Sequence, residues 1–259
     1  MRIVKAMKRL FAGLMMFSLI FGITFTGSAF ASGDEVKLID SNVSVIYKPG
    51  YVGFSGDIEV ANLGPVKNVT VHYTPDNTTW YDTTASYVGP TDASHEKWHF
   101  GIFTNDATNA AHSELKNLSF IKFAIKYDVN GQTYWDNNGS ANYYNEVNNS
   151  YPLTSIILGT PNVLNASSTL SNGTFSGNIY VKNLDPTKTV KVRYTTDNWA
   201  TSHEGNATYY GRLNNFNTVE GWNYSFNVPG ATNVKYAISY TTGGQTYWDN
   251  NYGHNYEVQ

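Results

Sequence analysis

The chain contains no cysteine in its 259 residues. That excludes disulfide staples and cysteine-ligated metal centres, so each folded unit must be held by an ordinary apolar core. Charge is scarce as well: Asp, Glu, Lys and Arg make up 14% of residues, and the formal net charge is −3. No basic field is present to hold nucleic acid or anionic lipid, and neither is expected as a partner. Beyond the first 31 residues no apolar run is long enough to span a bilayer. Helical spacing of apolar residues is also missing, apart from one stretch near residues 107–118 that permits a turn.

Residues 1–31 stand apart from the rest. Arg2, Lys5, Lys8 and Arg9 precede an apolar stretch from Leu10 to Phe25, and Ala29-Phe30-Ala31 supplies a small-x-small cleavage pattern. These features read as the signal peptide of a secreted, extracellular protein. Gly13, Ser18 and Gly22 interrupt the apolar stretch and argue against a retained anchor. After cleavage no membrane association is expected.

What the sequence does have is a duplication. Gly131-Gln132-Thr133-Tyr134-Trp135-Asp136-Asn137-Asn138 returns 113 residues later as Gly244-Gln245-Thr246-Tyr247-Trp248-Asp249-Asn250-Asn251. Phe54-Ser55-Gly56 returns as Phe175-Ser176-Gly177 at an offset of 121. The six tryptophans fall into three pairs: Trp80 with Trp199, Trp98 with Trp222, and Trp135 with Trp248. The units are read as 36–147 and 153–258, joined by a polar connector over 148–152 that ends in Pro152.

Within both units the apolar pattern has period two in short runs, as in Val69-Val71-Tyr73, Phe123-Ile125-Tyr127 and Tyr236-Ile238-Tyr240. Many short strands in a unit of about a hundred residues predict two consecutive immunoglobulin-like antiparallel β-sandwich domains, all-β. One hairpin can be read residue by residue. Asn130-Gly131 and Gly243-Gly244 suit a two-residue type I′ loop, which pairs Tyr127 with Tyr134 and Tyr240 with Tyr247 on the core face. The same register sets Lys126 opposite Trp135 and Ser239 opposite Trp248 on the outer face, so both tryptophans are expected toward solvent.

Trp98 and Trp222 lie inside apolar alternation and are expected in the core. Trp80 and Trp199 follow polar loops, where a tryptophan either folds back as a lid or stands exposed for a ligand. A tryptophan, asparagines and a tyrosine that converge twice suit sugar. A pyranose stacks its C–H face on an indole, while amides that both donate and accept receive its hydroxyls. The composition agrees, with 15% aromatic residues, mostly tyrosine. Asp136 and Asp249 are expected to be turn aspartates that accept backbone N–H bonds, because neither has a second carboxylate nearby in the motif.

On these residues both units resemble the family 21 carbohydrate-binding modules, the starch- and glycogen-binding type of Rhizopus-like glucoamylases and glycogen-targeting phosphatase subunits. The carriers are the Phe54–Asn62 and Phe175–Asn183 segments, the loop tryptophans, and the ending Trp-Asp-Asn-Asn-x-x-x-Asn-Tyr, intact at Trp135–Tyr143 and Trp248–Tyr256. The resemblance implies a main α-1,4-glucan site at Trp80, Trp135, Asn137, Asn142, Asn62, Lys67 and Lys126 in the first unit. In the second unit it implies Trp199, Trp248, Asn250, Asn255, Asn183 and Lys188. A further aromatic of the fungal domains is replaced by Ala124 and Ala237. The family's second site is matched only in part, by Tyr87 and His95 and by Tyr209 or Tyr210.

The resulting expectation is a monomeric, non-catalytic protein that binds starch, glycogen or maltodextrins and needs no cofactor or metal. Its alternatives are an accessory part of an extracellular amylolytic enzyme and a surface-associated structural or adhesion protein. A phosphatase docking segment has only Lys191-Val192-Arg193-Tyr194 as its nearest approach.

Overall fold

The alternating runs form strands throughout a computed structural model, which describes residues 34–46, 50–105, 111–148 and 153–259. The leader and residues 149–152 of the connector lie outside these residues. The first unit holds β1 (Val36–Ile46), β2 (Tyr51–Ala61), β3 (Lys67–Thr74), β4 (Tyr81–Thr84) and β5 (Ser86–Pro90). It continues with β6 (His95–Thr104), β7 (Phe120–Val129), β8 (Gln132–Asp136) and β9 (Tyr143–Glu146). After β10 (Thr154–Leu158), the second unit repeats the series with β11 (Val163–Ser171), β12 (Thr174–Lys182), β13 (Lys188–Thr195) and β14 (His203–Asn206). It closes with β15 (Thr208–Arg212), β16 (Val219–Asn227), β17 (Val234–Thr242), β18 (Gln245–Asp249) and β19 (Tyr256–Val258). Of the stretch read as a turn near 107–118, residues 107–110 lie outside the described residues and the remainder holds a short 3-10 segment, Ser113–Leu115.

Each unit is a sandwich of two antiparallel sheets. In the first unit the order β10-β1-β2-β6-β5 faces β4-β3-β7-β8, with β9 also on β7. In the second, β11-β12-β16-β15 faces β14-β13-β17-β18, with β19 on β17. Inward-facing residues of both sheets fill each core. Phe54 meets Phe100 and Phe123 in the first unit, and Phe175 meets Tyr224 and Tyr236 in the second.

The repeated Phe-Ser-Gly has a steric cause. β1 bulges between Leu38 and Asp40, and β11 bulges between Asn165 and Ser167. A Cβ on Gly56 would lie 2.3 Å from the Asp40 carbonyl, and one on Gly177 2.3 Å from that of Ser167. Only glycine lets β2 and β12 approach the bulge so closely.

β10 follows the connector yet completes the first unit's sheet, pairing with β1 from Asp40↔Leu158 to Ser44↔Thr154. Its period-two alternation serves two cores. Ile157 packs on the first unit's core, and the Ser155 hydroxyl donates to Asn145 Oδ1 at 2.5 Å. Ile156 and Leu158 turn the other way and cluster with Leu213 and Val219 of the second unit. The Ile156 amide donates to the Leu213 carbonyl at 2.9 Å, and Asn214 Nδ2 donates to the Ile156 carbonyl at 2.9 Å. One strand is therefore built into both units.

Asp40 sits at this seam, with Asp57 as its partner on β2. Burial, and after it the Asp57 charge, push its carboxyl up to about 7.

Two outcomes follow from the seam. Ile156→Ala is expected to cost about 2–5 kcal/mol and to separate the units' melting transitions in calorimetry; a variant that melts like the wild type would contradict the shared-strand account. For Asp40, a folded pKa above the unfolded value favours folding fully at pH values below 3.8, and that contribution is lost as pH rises through about 7. Asp40→Asn should therefore raise Tm at pH 8 and change it little at pH 4, whereas equal shifts at both pH values would mark an ordinary solvated carboxylate.

Candidate functional site

The hairpin adopts the register that its turn dictates. Asn130 and Gly131 have φ of 52° and 73°, and Gly243 and Gly244 have 55° and 77°, as a type I′ loop requires. Lys126 lies opposite Trp135 and Ser239 opposite Trp248. Tyr127 and Tyr240 are fully buried, and their hydroxyls donate to the Ala61 and Lys182 carbonyls at 2.7 and 2.6 Å.

On β3, Val69, Val71 and Tyr73 point inward, so Thr70 and His72 share the outer face with Lys126 and Trp135. Trp80, just before β4, is 37% exposed and stacks on His72, with ring centres 4.6 Å apart and planes 9° from parallel. Trp135 is half-buried and meets the same imidazole edge-on at 6.2 Å. His72 Nδ1 lies 2.6 Å from Asp82 Oδ1, which fixes the ring. His72 is also the register partner of Ala124. An imidazole thus stands beside an alanine, and it joins the two indoles into one three-ring face. Lys126 adds an ammonium donor and is paired with Asp128 at 2.7 Å.

The asparagines of the signature ending shape the turn beside this face. Asn137 Oδ1 accepts the Ser140 amide at 2.9 Å, and Asn250 Oδ1 accepts the Gly253 amide at 3.0 Å. Asn142 and Asn255 hold φ of 59° and 61°, a region asparagine tolerates better than most residues. Their amides return to the Asn137 and Asn250 carbonyls at 2.8 and 2.7 Å. Asp136 accepts the Leu38 amide at 2.8 Å, the Tyr143 hydroxyl at 2.7 Å and the Asn138 amide at 3.2 Å. Asp249 does the same for Asn165 at 2.6 Å, Tyr256 at 2.7 Å and Asn251 at 3.4 Å. Burial raises the Asp249 carboxyl above its usual range, and these hydrogen bonds oppose the shift. Both aspartates are the structural turn residues that their setting predicts.

The second unit rebuilds the face with other side chains. Trp248 is 51% exposed on the outer face. Trp199 is half-buried in its loop at φ 71°, with its amide donating to Thr195 Oγ1 at 3.0 Å. Arg193 takes the place of His72 and is the register partner of Ala237. Lys191, opposite Ser239, moves the cation of Lys126 onto the neighbouring strand, where it pairs with Glu204 at 2.6 Å. His72, Arg193 and Lys191 were missed in the sequence reading. The inward parity of Val69-Val71-Tyr73 and Val190-Val192-Tyr194 was the signal that would have found them.

Lys67 and Lys188 lie elsewhere. They share the inward parity of Val69 and Val190, are 8% and 6% exposed, and pair with Glu96 and Glu220 at 3.0 and 2.9 Å. Lys188 also donates to Asn183 Oδ1, and Asn183 Nδ2 donates to the Asn217 carbonyl at 3.0 Å. Asn62 is exposed and its amide donates to the Ser94 carbonyl at 2.7 Å. The structure does not bring Lys67 or Lys188 to the ring face. It joins them instead to the half-buried Trp98 and Trp222, whose indole N–H groups donate to Glu96 and Glu220 at 3.3 and 3.4 Å. Tyr87 and Tyr209, both exposed, meet those indoles edge-on at 5.9 and 5.8 Å. The register equates Tyr209 with Tyr87, while Tyr210 and Val88 are the bulged residues. His95 is held by Asp92 at 3.2 Å. One Lys-Glu-Trp-Tyr chain therefore recurs at the edge of each sandwich.

Asp136→Ala removes three hydrogen bonds to a charged acceptor, each worth about 1.5–3 kcal/mol. It is expected to lower Tm strongly, as read by thermal denaturation; a variant of unchanged Tm would refute the structural role.

The profile of the family described as carbohydrate/starch-binding module (family 21) matches residues 34–146 and 158–259. Among curated proteins, the chain is 38% identical to glucoamylase 1 of Rhizopus oryzae over 106 residues, which is 39% of this chain and 15% of the glucoamylase. It is 33% identical to protein phosphatase 1 regulatory subunit 3C of Clarias batrachus over 96 residues, 36% of this chain and 34% of that subunit. The chain thus spans about a third of one of these relatives and less of the other. Among solved structures it is similar to the starch-binding domain of Rhizopus oryzae glucoamylase in complex with β-cyclodextrin and maltoheptaose, at 34% identity and a TM-score of 0.34, covering 39% of this chain and 94% of that domain. With both units matched, the chain belongs to carbohydrate-binding module family 21.

Proposed function

We propose that the chain is a secreted, non-catalytic α-1,4-glucan-binding protein with two modules in tandem. The observation that carries this reading is the outer face on which Trp80, His72 and Trp135 form contiguous rings beside Lys126. Flat rings receive the C–H faces of glucose, and flanking donors and acceptors receive its hydroxyls. Secretion rests on the leader read in the sequence. The non-catalytic reading is supported by Asp136 and Asp249, whose oxygens are committed to the fold.

A second reading, an accessory part of a larger amylolytic protein, is supported by the glucoamylase relative, of which this chain covers 15%. A phosphatase partner is not part of the proposal. In the segment nearest a docking motif, Val192 is fully buried and the Tyr194 ring stacks on Phe226 at 5.0 Å.

Titration of the whole chain with maltoheptaose tests the proposal. Stacking on an aromatic contributes on the order of 1–3 kcal/mol in the nucleic-acid analogue. Trp80→Ala/Trp135→Ala and Trp199→Ala/Trp248→Ala are each expected to remove one class of sites, and the four substitutions together to abolish retention on starch, with Tm little changed. A large fall in Tm with binding intact would make these rings part of the cores. Reducing sugar released from soluble starch by repurified protein would overturn the non-catalytic reading.

A further inference from the structure

The two copies of the signature turn differ at one position in a way their shared backbone does not explain. The first unit has Gly139 at φ 64°, with open space where a Cβ would stand. The second unit has Tyr252 in the same left-handed conformation, at φ 56°. A bulky residue is disfavoured there, and such an outlier points toward a role for the side chain. The Tyr252 ring contributes nothing to either core and is exposed. It faces a cleft of about 690 Å³ between the units, where Glu59 of the first unit stands beside its hydroxyl.

That volume is within the roughly 300–1,000 Å³ typical of small-molecule sites. One wall is the second unit's main-site turn with Trp248, and the opposite wall belongs to the first unit. There Lys97 pairs with Asp57 at 3.2 Å, both part-exposed, and the bulge at Val88 adjoins the exposed ring of Tyr87. Thr91 and Asn165 also line the cleft, but their side-chain oxygens are buried away from it. The lining sets Asp40, Asp57, Glu59 and Asp249 beside Lys37 and Lys97, which disfavours an anion and offers a ligand carrying many hydroxyls both acceptors and donors.

We infer that this cleft is a composite glucan subsite, in which Trp248 and Tyr252 of the second unit and Glu59 and Lys97 of the first hold a glucose residue of a chain bound at the second unit. The inference rests on the α-glucan reading above. It makes the two sites unequal, because the corresponding turn of the first unit does not line this cleft. The second unit's site is extended by its neighbour, and longer glucans gain from the extension while short ones do not.

The test uses the whole chain carrying Trp80→Ala/Trp135→Ala, so that binding reports the second unit. Maltotriose and maltoheptaose are titrated before and after Glu59→Gln/Lys97→Ala, both on the first unit, and separately after Tyr252→Gly, which installs the first unit's own turn residue. Each change is expected to weaken maltoheptaose fivefold or more and maltotriose less than twofold, with Tm unchanged. Equal maltoheptaose affinity in all three proteins would overturn the subsite and leave glucan binding by the second unit standing. A background protein that binds neither sugar would refute the glucan reading for this unit, and the subsite with it.

Discussion

In each unit a half-buried carboxylate, Asp136 or Asp249, accepts the amide of a residue beside the bulge on the facing sheet and the hydroxyl of a tyrosine beyond the turn. That contact ties the end of the hairpin to the opposite layer of the sandwich. It fixes where the strand stops, which way the asparagine turn folds, and therefore where Trp135 and Trp248 stand. The glycine of Phe-Ser-Gly belongs to the same device, since it lets the next strand close against the bulge whose amide the aspartate holds. A carboxylate withdrawn from water is costly to leave unpaired, and the bulge amide and the tyrosine hydroxyl supply its partners in both copies.

On this common frame the copies diverge at the surface. The first unit sets an imidazole between two indoles and carries its cation on β7; the second uses Arg193 and carries its cation on β13 as Lys191. Both keep alanine at the neighbouring register position, bordered by a ring in one unit and a guanidinium in the other. β10 then joins the units as more than tethered domains, since its alternate residues enter different cores.

The sandwich and the hairpin register were legible in the sequence because both are local. Period two and the Asn-Gly or Gly-Gly turn determine which residues face inward, and Trp135 and Trp248 follow from that count alone. The lysines show where local logic was set aside. Their parity with Val69 and Val190 places Lys67 and Lys188 inward, yet the family resemblance groups them with the outward tryptophans; the fold pairs them with Glu96 and Glu220 instead. The same parity, applied to the polar positions of β3, would have revealed His72. β10's double role was not legible, because nothing in Thr154–Leu158 distinguishes a strand opening the second sandwich from one completing the first. The cleft between the units was hidden for the same reason.

The central claim is that the ring faces recognise α-linked glucose chains. It is tested most directly by parallel retention of the whole chain on granular starch, glycogen and cellulose at matched surface area. Retention on starch and glycogen with none on cellulose is the predicted result; equal retention on cellulose, or none on any of the three, would contradict it.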